Sequence, residues 1–424
     1  MLLVKDIVEN KEALIKALSK RNINAEELLT QVEVINEKRR KTIAELEAIQ
    51  AEGNKAAKEI GKLFKEGKAQ EANALKTKVQ EGRSRLQELK ELSSSIEEEL
   101  KSALYNIPNA PHESVPVGNS EAENEEVKTG GTTPSLYEGA VPHWDLLKTY
   151  DLVDFEVGVK ITGAGFPVYK GKGARLQRAL INFFLDEATK AGYNEVIPPL
   201  LINEASGYGT GQLPDKEGQM YHAQVDDLYL IPTAEVPITN LYRDEIIPAD
   251  QLPIKNVGYT PCFRREAGSY GKDVRGLNRL HQFDKIEIVQ VVHPTASYGV
   301  LEDMKTHVES LVNKLGLQYR ILRLCSGDLG FTSALTFDFE VYSAAQERWL
   351  EISSVSNFEA YQTNRLKLRY REGQDKPQLA HTLNGSALAL PRVLAAILEN
   401  NQTEKGIVIP EVLVPYTGFS IIEK

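Results

Sequence analysis

Cysteine is nearly absent. The 424 residues contain two, Cys262 and Cys325, and neither sits in CxxC spacing. That excludes a disulfide framework and a thiolate zinc site, leaving two reduced, partly buried thiols. No apolar run approaches the roughly 18 residues that suggest a membrane-spanning helix, so no membrane partner is expected. The start, Met1-Leu2-Leu3-Val4-Lys5-Asp6, lacks the long apolar stretch of a signal peptide, and a cytoplasmic location is the expectation. Familiar phosphate-binding loops are missing too. There is no G-x-x-x-x-G-K-[ST] run. Gly163-Ala164-Gly165 lacks the third glycine of a dinucleotide fingerprint, and Gly171-Lys172-Gly173 is not followed by Ser or Thr. Net positive charge is also lacking. The balance is −10, which taken alone argues against a nucleic-acid partner.

What is present is unevenly distributed. After a short amphipathic helix over about Lys11 to Arg21, steps of four and three connect Leu28, Val32, Ile35, Arg39, Thr42, Leu46, Ile49, Gly53, Ala56, Ile60 and Leu63. A second series connects Leu75, Val79, Gly82, Leu86, Leu89, Ser93, Ile96, Leu100 and Ala103. Most of these positions are apolar, and both seams follow the 3.5-residue coiled-coil period. Between them lies the short polar stretch Glu66-Gly67-Lys68-Ala69-Gln70. Two long helices joined by so short a turn must run antiparallel, which predicts a projecting hairpin. A dimerising coiled coil is the competing reading, disfavoured by the tight turn. Residues 53–85 hold nine Lys or Arg against four Glu, a balance of +5. The acidic total therefore hides a basic tip, suited to phosphate contacts or simply to a solvated surface. Asn106-Ile107-Pro108-Asn109-Ala110-Pro111 ends the hairpin, because proline cannot continue a helix.

The chain thus divides into a helical arm, 1–110, and a second domain, 111–424, with a polar linker of little structure of its own over about 111–140. Beyond it, Leu176 to Ala191 and Asp303 to Lys314 read as helices. Glu195 to Leu201 reads as a strand interrupted by prolines; Leu228–Ile231, Lys285–Val289 and Thr336–Val341 read as strands. Helices and strands mix without regular βα alternation, which predicts an α+β fold with a mainly antiparallel sheet flanked by helices.

With no glycine-rich phosphate loop, charged side chains must hold any nucleotide. Arg264, Arg265 and Glu266 follow Tyr259-Thr260-Pro261-Cys262-Phe263. A polar loop with Gly268-Ser269-Tyr270-Gly271 comes next, and Arg275 to Phe283 leads back into a strand ending at Glu287. Arginine offers a planar fork for phosphate oxygens, and Phe283 could stack beneath a purine. By composition alone a surface ion-pair network is the commoner reading.

The arrangement is more specific than the composition. Phe263-Arg264-x-Glu266 and Arg275-Gly276-Leu277-x-Arg279-x-His281-Gln282-Phe283-x-Lys285-x-Glu287 resemble the second signature motif of class II aminoacyl-tRNA synthetases, in the form seen in seryl-tRNA synthetases. Gly192-Tyr193-x-x-Val196 with Pro198 resembles the first motif, at the dimer interface. Leu230-Ile231-Pro232-Thr233-Ala234-Glu235 matches the serine-binding segment. Glu351-Ile352-Ser353-Ser354-Val355-Ser356-Asn357 resembles the ATP- and metal-binding strand, and Thr382-Leu383-Asn384-Gly385-Ser386 leading to Arg392 resembles the third motif. The resemblance spans nearly the whole chain, arm included. It departs at Ala387 and Pro391, where glycine is usual or frequent, at Tyr342 in place of tryptophan, and at Arg265, often serine. All of these spare the expected ligands.

The resemblance implies an ATP-dependent serine–tRNA ligase of the bacterial type, forming seryl-adenylate from L-serine and then esterifying the 3′ end of tRNA(Ser). The selenocysteine transfer RNA is a second candidate acceptor, and a homodimer is implied. Arg264 would hold the α-phosphate and contact serine, and Arg392, assisted by Arg279, would clamp the γ-phosphate. Glu351 and Ser354 would bind Mg2+. Arg265, Glu266, Phe283, Ile352 and Ser353 would complete the ATP site, with Glu266 at the adenine amino group. Thr233, Ala234 and Glu235 would meet the serine amino group, Glu287 its hydroxyl, and Asn384 and Ser386 would close that end. Alanine in place of serine would leave the buried charge of Glu287 unpaired and so be rejected, and threonine would be excluded by space. His281 reads as a structural hydrogen-bonding residue, and the arm as the grip on tRNA. Two rival classes remain: a ligase loading a carrier protein, expected to lack the arm, and a catalytically silent RNA-binding paralogue, expected to have lost Arg264, Glu351 or Arg392.

Overall fold

Asn24 starts the first long helix. Its side chain accepts from the Glu27 amide at 3.3 Å and donates to the Glu27 carboxylate at 2.7 Å, a reciprocal cap. The helix runs Ala25–Lys65. The chain turns at Gly67, whose φ of 77° suits a residue without a Cβ, and returns as Ala69–Tyr105. The structure, a computed structural model, describes residues 1–423 apart from 216–217 and 266–274. It separates into two units, Met1–Pro108 and Asn109–Lys424.

In the first unit the 3.5-residue seam is the packing seam. Every one of its positions on both helices is buried or half-buried, including Arg39, Thr42, Gly53, Gly82 and Ser93. From Ala69 to Lys101 the return helix shields only these positions and Ala72. Arg85 bridges to Glu45 on the facing helix at 2.9 Å, and Arg39 to Glu97 at 3.7 Å. Both pairs are largely exposed to solvent and add little to stability, so apolar burial along the seam holds the hairpin. Val4–Glu9 and Lys11–Ser19 form short helices in the same unit, and Lys11 pairs with Glu33.

The second unit is built on an eight-stranded sheet. Its spatial order is Glu125–Gly130, Tyr319–Arg323, Leu335–Ser343, Arg348–Glu359, His381–Ala389, Gln282–Val292, Ile254–Phe263, Asn194–Glu195. All neighbours are antiparallel except the last pair, which is parallel. The long helices Gly171–Lys190, Ser297–Lys314 and Leu390–Asn400 supply apolar residues to a shared core with the strands, among them Phe184, Met304, Val308, Leu394 and Ile397. The expected α+β architecture with a mainly antiparallel sheet is what forms.

One expectation needs correction. The stretch around 111–140 is not a linker without structure. Glu125–Gly130 is an edge strand of the main sheet, paired with Tyr319–Arg323. Upstream, the His112 amide donates to the Ala334 carbonyl at 2.9 Å, and Val115 is buried in the core. The strand escapes a pattern search because its side chains, Glu-Glu-Val-Lys-Thr, are all exposed and show no alternation. An edge strand needs only its backbone to pair, and charge on it discourages pairing with other chains.

Candidate active site

The open face of the sheet carries a cavity of about 450 Å³. Three of its walls come from one strand. Phe283, Lys285 and Glu287 lie two residues apart on Gln282–Val292, so the pleat points all three into the cavity. Asn384 and Ser386 enter from the neighbouring strand, where Ser386 is the register partner of Glu287. Glu351, Ile352, Ser353 and Ser354 come from the strand beyond, and Thr233 and Glu235 from the start of the Glu235–Asn240 helix. Arg264, Arg279 and Arg392 complete the lining. Residues spread over more than 150 positions of sequence thus meet in one place.

At the deep end Glu287 is 2% exposed. Lys285 Nζ lies 2.7 Å from its Oε2, and Thr233 and Ser386 hydroxyls each donate to the same oxygen at 3.4 Å. The expectation that alanine would leave Glu287 unpaired therefore fails. Its charge is balanced by a buried lysine, and an alanine substrate would forfeit a hydrogen bond rather than strand a lone carboxylate. Lys285 had no role in the sequence reading, although its position two residues from Glu287 placed it on the same face.

Glu235 sits beside this pair. Burial, reinforced by the negative charge of Glu287, pushes its carboxyl up to about 7, while a hydrogen bond from Gln362 works in the other direction. That bond, Gln362 Nε2 to Glu235 Oε1, is 2.7 Å, and Thr382 in turn donates to Gln362 Oε1 at 2.7 Å. Gln362 is 127 residues from Glu235, and nothing in the sequence marked it.

At the mouth, Arg264 Nε donates to the Pro232 carbonyl at 3.2 Å, and its guanidinium lies 5.3 Å from the centre of the Phe283 ring. Arg392 donates from Nε to the Asn278 carbonyl at 3.1 Å and from Nη1 to the Glu351 carbonyl at 2.8 Å, with Glu351 Oε2 at 3.5 Å. Ser354 Oγ donates to Glu351 Oε1 at 3.4 Å. Asp338, the register partner of Ser354, is held well above the usual carboxylate range by burial and by the charge of Glu351. Pro391 falls in the first turn of the Leu390–Asn400 helix, a position where its missing N–H costs nothing.

Other expected residues stand elsewhere. Arg265 does not line the cavity; its guanidinium lies 5.8 Å from the Tyr221 ring centre and its amide donates to the Gln219 carbonyl. Ala234 is fully buried behind Thr233 and Glu235. Glu266 lies outside the described residues. His281 has the structural role expected of it: Nδ1 is 2.9 Å from both the Arg264 carbonyl and the Tyr221 hydroxyl, and the ring stacks on Phe166.

Sequence comparison places this geometry. Residues 1–111 match the family of the seryl-tRNA synthetase N-terminal domain, and residues 220–401 that of the tRNA synthetase class II core domain (G, H, P, S and T). The serine–tRNA ligase of Salinibacter ruber is 51% identical over 420 residues, covering 98% of each chain. The chain belongs to the seryl-tRNA synthetases. The family's enzyme from Geobacter sulfurreducens is 46% identical over 99% of each chain. Among solved structures, the seryl-tRNA synthetase of Pyrococcus horikoshii complexed with ATP superposes with a TM-score of 0.91 at 34% identity, over 100% of this chain and 99% of that one. Family membership accounts for both units at once, since the family's N-terminal domain coincides with the helical hairpin.

Proposed function

We propose that the chain is a serine–tRNA ligase that joins L-serine to ATP as seryl-adenylate, releasing pyrophosphate, and then passes the seryl group to the 3′ end of tRNA(Ser). The supporting observation is the pairing, in one cavity, of a buried Lys285–Glu287–Glu235 end with an arginine-rich mouth. The first suits a small zwitterion with a hydroxyl; the second suits a triphosphate.

The serine carboxylate is already ionised, so its attack on the α-phosphorus needs alignment and charge stabilisation rather than a base. Glu235 receives the ammonium group with Thr233 beside it, and Glu287 accepts from the hydroxyl while Ser386 and Asn384 bound that end. Arg264 holds the α-phosphate between serine and the purine that stacks at Phe283. Arg392 leaves its contact with Glu351 for the γ-phosphate, aided by Arg279.

The oxygen donors of Glu351 and Ser354 fit Mg2+, which takes few protein ligands and completes its shell with phosphates and water. Among the described residues no group of three or more His, Cys, Asp or Glu is placed to hold a metal ion. Bound there, it would neutralise phosphate charge. The basic residues between 53 and 85 fit tRNA backbone contacts. A second copy of the chain fits the apolar strip at Ile197, 89% exposed, with Leu200 and Leu201. No helix among the described residues is long and apolar enough to cross a membrane.

The arm disfavours a carrier-protein ligase, and the presence of Arg264, Glu351 and Arg392 disfavours a silent paralogue. The deciding experiment is amino-acid-dependent exchange of pyrophosphate into ATP. Exchange with serine and not with alanine or threonine is expected; no exchange with any amino acid would overturn the proposal.

A further inference from the structure

The segment Arg275 to Arg279 places Leu277, Asn278 and Arg279 on the cavity wall. Its anchor is a buried histidine far away in sequence. The Leu277 amide donates to His143 Nε2 at 2.9 Å across 134 positions. Nε2 is therefore the unprotonated nitrogen, and Nδ1 carries the hydrogen. Nδ1 lies 2.6 Å from Glu399 Oε1. Both side chains are 0% exposed.

Glu399 is fully satisfied as an acceptor. Besides His143 Nδ1, its carboxylate takes the His143 amide at 2.8 Å, Gln346 Nε2 at 2.8 Å and the Ser343 hydroxyl. Gln346 then reaches forward, and its Oε1 accepts from Asn278 Nδ2 at 3.1 Å. Two successive residues of the loop, Leu277 and Asn278, are thus tied to one buried carboxylate. Gly276 makes the approach possible, since a Cβ there would stand 2.3 Å from His143 Nε2.

Glu399 and Arg392 lie seven residues, about two turns, apart on the Leu390–Asn400 helix and so share a face. Arg392 takes the carbonyl of Asn278 while Glu399, through His143 and Gln346, holds the Leu277 amide and the Asn278 side chain. The helix grips the loop at two points.

We infer that His143 and Glu399, with Gln346, are positioning residues for nucleotide binding: they set the returning segment so that Arg279 and Arg392 face the triphosphate. They touch no substrate themselves. The inference rests on the ATP reading of the cavity mouth, and it adds a tie from residues outside every signature motif.

The test separates the acceptor on Nε2 from mere filling of space. In His143→Asn the amide can still donate toward Glu399 but falls short of Leu277; in His143→Gln the side chain reaches Leu277 with a carbonyl oxygen. In serine-dependent pyrophosphate exchange, His143→Asn should raise the KM for ATP at least tenfold and leave the KM for serine within twofold. His143→Gln should recover most of the loss. Gln346→Ala, at a half-buried position, should raise the KM for ATP several-fold in a variant that still folds, at the cost of a lower melting temperature from the bond lost to Glu399. Equal KM values for ATP in wild type and in folded Gln346→Ala and His143→Asn would overturn the inference, as would equal losses for ATP and serine. Wild-type exchange measured alongside distinguishes this from failure of the ligase reading, which would leave the wild type itself inactive.

Discussion

Lys285 Nζ and Glu287 Oε2 stand 2.7 Å apart at the closed end of the cavity, both almost entirely removed from solvent. Burying two charges costs several kcal/mol per ion, so the pair adds little to stability by itself; removing one partner leaves the other uncompensated, at about 3–5 kcal/mol. Lys285→Met should lower the unfolding free energy by roughly this amount and impair serine binding. Combining it with Glu287→Gln should restore most of the stability while serine loses its advantage over alanine. Urea denaturation and exchange assays on the single and double variants check both halves.

The amino-group site proposed at Glu235 predicts a pH dependence. Its carboxyl is pushed up to about 7, so below that pH it is increasingly neutral and cannot pair with an ammonium group. The KM for serine should therefore rise as pH falls, approaching about tenfold per unit on the acid side. Gln362→Ala removes a bond that favours the ionised form and should move the whole profile toward higher pH. A KM for serine that stays flat from neutral to mildly acid pH would sink the assignment of the amino-group site.

Arg264→Ala should abolish serine-dependent exchange, with a loss of about 10²–10³ or more in kcat, the range seen when a single group stabilising developing charge is removed. The side chain spans the Pro232 carbonyl and the Phe283 ring at the cavity wall. Its removal should leave the melting temperature within a few degrees of wild type. Normal exchange in the folded variant would show that the arginine has another duty.

The exposed lysines Lys55, Lys58, Lys62 and Lys65 provide the test of the arm. Replacing all four by Glu should leave pyrophosphate exchange unchanged and cut aminoacylation of tRNA(Ser), with a shallower dependence of tRNA binding on salt. Undiminished charging would remove the arm from the tRNA contact.

Gly53 and Gly82 lie within long helices where glycine costs about 1 kcal/mol relative to alanine. A Cβ at Gly53 would meet nothing within 4 Å, and one at Gly82 would rest 3.9 Å from Ile49 Cγ2, ordinary contact. Gly53→Ala and Gly82→Ala should each stabilise the hairpin by up to that amount, read as a higher midpoint for loss of helical circular dichroism. Neither should alter exchange.

The hairpin was legible because one physical rule governs it. A repeated apolar period is a statement about burial, and even the polar seam positions Arg39 and Thr42 obey it. The sheet strands were legible in part, where alternation or apolar runs mark them. Glu125–Gly130 was not, because its contribution is made by backbone alone. At the site, most of the motif residues named from the sequence line one cavity, Arg265 and Ala234 excepted, whereas the residues that support them carry no such mark. Gln362, Glu399 and His143 reach their partners across more than a hundred positions, and a linear pattern carries no trace of such distances. Lys285 is the intermediate case: the strand period points to it, but only the folded structure shows that it pairs with Glu287.

The strand Gln282–Val292 has a consequence for which amino acids this scaffold can be taught to use. Phe283 and Glu287 are four residues apart on one continuous extended segment, a separation of about 13 Å. With the roles proposed for Phe283 and Glu287, the strand would act as a calliper with fixed jaws, one at the purine and one at the side-chain end of the amino acid. Stretching it would require changing the length of a central strand bonded on both sides. A larger substrate must therefore be admitted sideways, by shaving the adjoining wall at Asn384 and Ser386, rather than by widening the jaws.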